Sequence, residues 1–315
     1  MLDSHSENKY VPHVPVLKEK VIQFLITNRS GTYIDGTLGS GGHARSILNE
    51  LHSDGKVIGI DRDRDAIDYC RKQFSDCLSR MDLIHGEFGQ IDEILDDLHI
   101  TEVDGFLLDL GISNHQLETA SRGFSHQKAG PMDMRMDSSG GRTAAEIVNQ
   151  YSEKDLAELI YRYGEERHSR RIAREIVRCR EKESIETTER LADIIRRITP
   201  PKWQVKTLSR VFQSIRVELN QEINQLINGL VKIVPYLKLF GRIVCISYHS
   251  LEDRIVKNFF RGTHTENPDW FQGVEIPNVS FRVLTKKVIR PDQGELERNS
   301  KSRSARLRSA EITGK

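Results

Sequence analysis

A glycine-rich segment is the first stretch of this sequence whose residue types could bind a small molecule. The residues "YIDGTLGSGGHARSIL", at 33–48, include four glycines, of which Gly41 and Gly42 immediately precede His43. Glycines let a backbone approach a ligand closely, and a helix that starts here offers free N–H groups. The spacing at 39–44 fits the dinucleotide pattern G-x-G-x-x-A. A tight turn that serves only packing has the same pattern, so the loop alone does not identify the ligand.

Acidic residues at the ends of three predicted strands distinguish between ligands. Asp35 ends the first strand, Asp61 the second and Asp109 the fourth. A dinucleotide would place a pyrophosphate over the glycine loop, where a carboxylate repels it. S-adenosylmethionine has no phosphate, and its ammonium and sulfonium groups are attracted by carboxylates. The three acids therefore favour S-adenosylmethionine over NAD.

The residues around this loop receive individual roles. Asp61 is expected to bind the ribose hydroxyls, and Asp109 to face the amino-acid end of the donor or the site of methyl transfer. Phe88, after the third strand, is placed to pack on adenine. Core packing is the alternative for Phe88, and a helix N-cap is the alternative for Asp61. A branched side chain at Gly41 is expected to occupy the ligand's space and to disfavour a positive φ.

The elements that position these residues follow a βαβ pattern. Helical patterns begin near His43, Asp63 and Gly89, between four strand-like runs, "GTYIDGTL", "KVIGID", "MDLIHG" and "VDGFLLDL". Apolar strands joined by helices predict a parallel sheet that is covered on both faces. The fold class is therefore α/β.

The pattern changes to helices alone between about residues 113 and 213. Ser152 to Tyr163, for example, has apolar residues on one helical face. Strand patterns return at 241–250 and at 279–289. The predicted organisation is a sheet domain interrupted by a helical insertion, with segments 1–112, 113–213 and 214–315.

Composition excludes several classes of protein. The 315 residues are 37% hydrophobic and carry a net charge of +1, so the chain is neither disordered nor polybasic throughout. The four cysteines form no CxxC pair, which argues against a zinc site or a disulfide framework and favours a reducing cytoplasm. The polar opening residues predict no export signal, and no apolar run is long enough to span a membrane. The sequence is compatible with a monomer or a dimer.

Longer motifs carry a resemblance to a known family. The stretches "DGFLLDLGISNHQLETASRGFS", "GPMDMRMD", "VFQSIRVELNQEI" and "ISYHSLEDRIVKNFF" occur in that order, with "HVPVL" before them and "NSKSRSARLR" after them. Together they resemble the MraW-type family, the bacterial small-subunit ribosomal RNA cytosine-N4 methyltransferases. The resemblance covers nearly the whole chain.

The resemblance implies a class I (Rossmann-like) methyltransferase sheet with an inserted helical domain. It further implies that S-adenosylmethionine is the donor, and that the acceptor is the exocyclic amine of a cytidine in the decoding centre of 16S ribosomal RNA. The residues that it places in contact with the donor are Gly41, Gly42, His43, Asp61, Phe88, Asp109 and Gln116.

The chain departs from the family pattern at four places. His115 stands in place of a common proline, Ala129 in place of an aspartate, Tyr248 in place of phenylalanine, and "TLSR" at 207–210 in place of "ATR". The glycines and the strand-end acids are intact, so these departures bear on substrate contacts, Ala129 above all.

Catalysis requires a group that accepts a hydrogen of the amine, and Asp109 is the first candidate. The strand-four proline motif of DNA amino-methyltransferases is absent here, which argues against that class. Residues of other loops must therefore hold the acceptor base. Asp133 and His249 are candidates to hold it, as are Ser250 and Glu252. A loop that caps a helix, with Ser250 as its N-cap, is the alternative for His249.

Contacts with RNA must come from local basic patches. Residues 162–182 contain eight Lys or Arg against four Glu, and residues 286–308 contain eight against three acids. The first patch fits a solvated helix face as well as an RNA surface. The second is expected to be a flexible strip that orders on phosphates. The segment at 132–137 is expected to gate the substrate, and core methionines are its alternative.

The predicted partner is the small ribosomal subunit, assembled or nearly so, because its folded RNA could contact both patches at once. Two other classes remain open. A dehydrogenase would bind NAD, which Asp35 and Asp109 disfavour, and a noncatalytic RNA-binding module would leave the donor pocket unused.

Overall fold

The computed structural model describes residues 14–263 and 268–314. The polar opening segment, on which the expectation of no export signal rests, lies outside these ranges, as does His13 of "HVPVL". Within them, no helix has both the length and the apolar character that a membrane crossing requires.

The chain divides into two compact units, one of Met1–Gly111 with Gln225–Lys315 and one of Ile112–Asn224. The strands, numbered in chain order, are β1 (Thr32–Asp35), β2 (Lys56–Asp61), β3 (Met81–His85), β4 (Val103–Asp109), β5 (Leu237–Ser247), β6 (Ser280–Val283) and β7 (Arg306–Gly314). The helices of the described ranges are α1 (Lys18–Leu25), α2 (Gly42–Glu50), α3 (Arg64–Gln73), α4 (Ile91–Asp97), α5 (Asn114–Glu118), α6 (Ala144–Gln150), α7 (Glu153–Gly164), α8 (Ser169–Arg180), α9 (Thr188–Ile198), α10 (Gln204–Leu219), α11 (Glu222–Lys232), α12 (Ser250–Arg261), α13 (Pro268–Phe271) and α14 (Gln293–Arg298).

The first unit is built on one seven-stranded sheet with the order β3-β2-β1-β4-β5-β7-β6. Strands β1 to β5 are parallel, and β7 is antiparallel to both β5 and β6. The four predicted strands and the helices after β1, β2 and β3 are confirmed. The strand order reverses between β1 and β4, and ligands of such sheets bind in the crevice at that point, beside the carboxyl ends.

The acidic strand ends meet at this edge because of the register. Asp35, the last residue of β1, pairs with Gly59, two residues before Asp61 ends β2. Leu107 of β4 pairs with Asp35 from the other side, two residues before Asp109. All three carboxylates therefore belong to the same end of three adjacent strands.

The expectation of a flexible basic strip at 286–308 is wrong at the end of that segment, because residues 306–308 begin β7 (Arg306–Gly314). The central residues of β7 are buried between β5 and β6. The charges of this strand are neutralised within the fold: Arg308 Nε lies 2.6 Å from Asp253 Oδ1, and Glu311 accepts from Arg242 Nε at 2.9 Å. A strand that looks basic and solvated in sequence is thus a paired, interior element of the sheet.

The second unit is helical, as predicted, and has a core of its own. Residue 213, the predicted end of the insertion, lies inside α10, and the buried face of α10 continues to Ile215 and Val217. The partly buried Leu219 packs against the same core. The insertion therefore extends to Asn224.

The segment at 132–137 belongs to the core of this second unit. Met132, Met134 and Met136 are buried in it. Asn220 fixes their backbone, because its side chain accepts from Met136 N at 2.8 Å and donates to Met134 O at 2.9 Å. The alternative of core methionines is confirmed for these three residues, and the expected substrate gate stays a prediction.

Candidate active site

Asp61 holds the glycine loop against the end of β2. Its Oδ2 accepts from Gly39 N at 2.7 Å, and its Oδ1 accepts from Asp63 N at 2.8 Å. Burial raises the pKa of this carboxyl to about 6, and the two N–H groups oppose that rise. The N-cap of α3 is Asp63, so the alternative of Asp61 as a helix cap is wrong. Carboxylate oxygens accept more than one hydrogen bond, so Asp61 can still bind a hydroxyl.

Gly41 and Gly42 form the junction between the glycine-rich loop and α2. Gly41 is the N-cap, with a φ of 75°, and Gly42 is the first helical residue. A Cβ on Gly41 would lie 2.4 Å from Cε2 of Phe74. The expected positive φ is confirmed. A side chain at Gly41 would meet the ring of Phe74, and the expected clash with a ligand stays a prediction.

Asp35 and His43 have buried polar atoms that lack partners. Asp35 is 1% exposed, and its Oδ1 accepts from Thr37 N at 3.2 Å. Within the described ranges, Asp35 Oδ2 and both ring nitrogens of His43 make no hydrogen bond. Burial raises the pKa of Asp35 to about 6, while the nearby His43 lowers it. Buried polar atoms are almost always paired, so these residues are suited to a polar ligand.

Asp109 is a partly exposed carboxylate at the end of β4. Its backbone N donates to Thr37 Oγ1 at 2.6 Å, and its Oδ1 accepts from the Tyr248 hydroxyl at 2.9 Å. His43 Nε2 lies 3.5 Å from its Oδ2. The Asp109 side chain is 21% exposed, so a substrate atom can reach it.

Tyr248 and His249 follow β5 at the same edge. Burial and the charge of Asp109 raise the pKa of Tyr248 well above its usual range, so this hydroxyl stays protonated and donates. His249 is the N-cap of α12, and its Nδ1 accepts from Glu252 N at 3.4 Å. Glu252 in turn accepts from Tyr248 N at 3.0 Å. The cap is His249, so the expectation that Ser250 is the N-cap is wrong.

Phe88 lies in the short 3-10 turn after β3 and is half-buried. Its ring lies against Gly229 of α11, since a Cβ on that glycine would be 2.7 Å from Cδ2 of Phe88. One face of the residue is thus packed, and part of it remains exposed.

Two of the predicted site residues belong to the second unit. Gln116 forms a capping box with Ser113, with both hydrogen bonds at 3.1 Å. Asp133 pairs with Arg135 through two side-chain contacts, at 3.0 and 2.7 Å. Burial opposes ionisation of Asp133, but its hydrogen bonds to Arg135 outweigh burial and lower its pKa. The roles of both residues toward a ligand stay predictions.

The first unit brings together Gly41, Gly42, His43, Asp61 and Asp109 at the start of α2 and the ends of two strands, β2 and β4. Sequence reasoning missed Thr37 as the anchor of Asp109, and it treated Tyr248 only as a departure from a family pattern. The signal for Thr37 was its place inside the glycine loop. Chemically, a buried carboxylate such as Asp35, whose Oδ2 makes no hydrogen bond among the described residues, fits a cationic ligand, and a partly exposed carboxylate such as Asp109 fits proton transfer.

Comparisons with known proteins show which family this chain resembles. The model of the MraW methylase family matches residues 10–313. The ribosomal RNA small subunit methyltransferase H of Caldicellulosiruptor saccharolyticus is 43% identical over 306 residues, which cover 95% of this chain and 98% of the relative. The protein of the same name from Geotalea uraniireducens is 45% identical over 312 residues, with the same coverage. An S-adenosylmethionine-dependent O-methyltransferase structure from Thermotoga maritima aligns with 98% of this chain and 69% of its own, at 10% identity and a TM-score of 0.43.

Proposed function

Because the chain belongs to the MraW methylase family, we propose that it methylates the N4 amine of a cytidine in the decoding centre of 16S ribosomal RNA. The relatives establish the broader activity: the protein is an S-adenosylmethionine-dependent methyltransferase that acts on small-subunit ribosomal RNA, and its fold is α/β, of the class I (Rossmann-like) type. The observation that carries the proposal is the partly exposed carboxylate of Asp109, 3.5 Å from His43 Nε2, together with the buried Asp35, whose Oδ2 makes no hydrogen bond among the described residues.

The residues at the strand ends fit the donor. When bound, S-adenosylmethionine supplies an electrophilic methyl group on a sulfonium. Asp35 would balance the positive charge of the donor, Asp61 would bind its ribose, and the start of α2 at Gly42 would receive its methionine portion. Phe88 would pack on the adenine.

Asp109 would act on the acceptor base. Its Oδ1 is fixed by the Tyr248 hydroxyl and its backbone by Thr37, so the carboxylate is held in one orientation. In that orientation it can accept one hydrogen of the cytosine amine, which keeps the nitrogen lone pair available for attack. It can then hold the proton that the amine loses. Such positioning of two reactants can lower a barrier by about 7–11 kcal/mol.

An RNA surface is proposed on the second unit, in the groove between α7 and α8. Arg167, Arg170 and Arg171 line it, are exposed, and have no ion-pair partner among the described residues. Tyr161, 64% exposed, lies in the same groove. Arginines bind phosphates, and an exposed aromatic ring can stack on an unpaired base, so this groove fits folded ribosomal RNA.

The proposed substrate is the assembled small subunit in the cytoplasm. The test is transfer of labelled methyl from S-adenosylmethionine to small subunits that lack the modification, with free 16S ribosomal RNA as the comparison. We expect faster transfer to the subunit. Equal transfer to free RNA would contradict the choice of substrate, and an absence of transfer to both would contradict the function.

A further inference from the structure

Helix α11 presents two residues to the loop that carries Phe88. Gln225 and Gly229 are four residues apart, so they lie on the same face of the helix, one turn from each other. Neither residue belongs to a motif assigned above, and both contact the turn at 87–89.

Gln225 holds the backbone of this turn. Its Oε1 accepts from Gly89 N at 3.0 Å, and its Nε2 donates to the Glu87 carboxylate. Glu87 also pairs with Arg62, at 3.0 Å, and Arg62 directly follows Asp61. The amide of Gln225 thus uses both its donor and its acceptor on the loop, and this network reaches the residue next to Asp61.

Gly229 sets the position of the ring. A Cβ there would lie 2.7 Å from Phe88 Cδ2 and 3.2 Å from Phe88 O, too close for either to stay in place. Gly229 is in a helix interior, where alanine is normally the more favourable residue. The close approach of Phe88 accounts for a glycine at this position.

We propose that Gln225 and Gly229 are positioning residues that set the place of the donor's adenine through Phe88. This role rests on the proposed donor site, in which Phe88 packs on adenine. Gly229 fixes how near the ring lies to α11, and Gln225 fixes the turn on which the ring is carried. A change at either position moves the adenine contact and leaves the carboxylates at the strand ends in place.

A double-mutant cycle tests the proposal, with S-adenosylmethionine binding measured by calorimetry in the absence of RNA. We expect Gly229→Ala and Phe88→Ala each to weaken binding by about tenfold, and the double variant to bind no more weakly than Phe88→Ala alone. Gln225→Ala should also raise the KM for the donor while kcat at saturating donor stays unchanged. Asn224→Ala, an exposed neighbour on the same helix, is the matched control and should bind as wild type.

Two outcomes would overturn the proposal. One is unchanged donor affinity in a folded Gly229→Ala protein. The other is additive losses in the double variant, which would mean that Gly229 acts independently of Phe88. If the wild-type protein itself bound no S-adenosylmethionine, the proposed donor site would fail as well, so the two failures are distinguishable.

Discussion

We propose that the carboxylates of Asp35 and Asp61 make donor binding depend on pH. Burial raises the pKa of each to about 6, so both are ionised above that pH and become protonated below it. A protonated carboxyl no longer attracts a sulfonium or an ammonium. We therefore predict that the Kd for S-adenosylmethionine, measured by calorimetry, rises as the pH falls through 6, by at most about tenfold per pH unit for each group.

Asp35→Asn should weaken donor binding at pH 8 and reduce this pH dependence, with Asp61 responsible for the remainder. The matched control is Asp68→Asn, which removes a carboxylate that is 56% exposed and paired with Arg71. If a folded Asp35→Asn protein had wild-type donor affinity both at pH 8 and below pH 6, Asp35 would not be part of the donor site.

Some features of the site could be predicted from the sequence, and others could not. The acids at the ends of parallel strands could be located because their strands end at a common edge. The hydrogen bond from Tyr248 to Asp109 spans 139 residues, and no local pattern indicates it. Asp35 Oδ2 and the ring nitrogens of His43 make no hydrogen bond within the described ranges. This too depends on which side chains surround them in three dimensions.

At the start of α2, Gly39 and Gly41 can be compared to separate backbone strain from side-chain packing. Gly39 and Gly41 both have positive φ, but a Cβ on Gly39 would meet no atom closer than 4.0 Å. Gly39→Ala should therefore cost only the backbone strain, about 1–2 kcal/mol of unfolding free energy. Gly41→Ala should cost a further 1–3 kcal/mol or so, because it also pushes on Phe74. Urea denaturation measures both, and equal losses would refute the packing role of Gly41.

The groove between α7 and α8 gives a prediction about salt. Replacing Arg167, Arg170 and Arg171 with glutamine should reduce the slope of log affinity for RNA against log salt, by about 0.7–0.9 for each phosphate that the variant no longer neutralises. The control is Arg178→Gln on the same helix, whose guanidinium is already paired with Glu175. Donor affinity should stay unchanged in both. A triple variant with the wild-type slope would mean that this groove is an ordinary solvated surface that does not bind RNA.

Elements were predictable where their signals were local. Strands β1, β2 and β4 each end in aspartate, and β3 is followed by Gly86, so the positions of these strands follow from local sequence signals. Strand β7 was missed because its charges are matched by distant residues, Asp253 for Arg308 and Arg242 for Glu311. The boundary of the insertion was missed because α10 remains amphipathic beyond residue 213.

At the scale of the whole molecule, function is divided between two kinds of surface. The net charge of +1 gives no general attraction for RNA, so binding must depend on local basic residues such as those of the α7–α8 groove. The proposed donor site lies in the other unit, at one edge of its sheet. If cation and polyanion are bound by different parts of one chain, as we propose, substitutions in one part should leave binding of the other ligand unchanged.

The most direct test of the central claim is a single-turnover assay on small subunits with nucleoside analysis of the product. We predict that the wild-type protein yields N4-methylcytidine in 16S ribosomal RNA. Asp109→Asn, which keeps the size of the side chain, should lower the rate far more than it lowers affinity for the subunit. A methyl group on any other atom, or a wild-type rate for Asp109→Asn, would contradict the account.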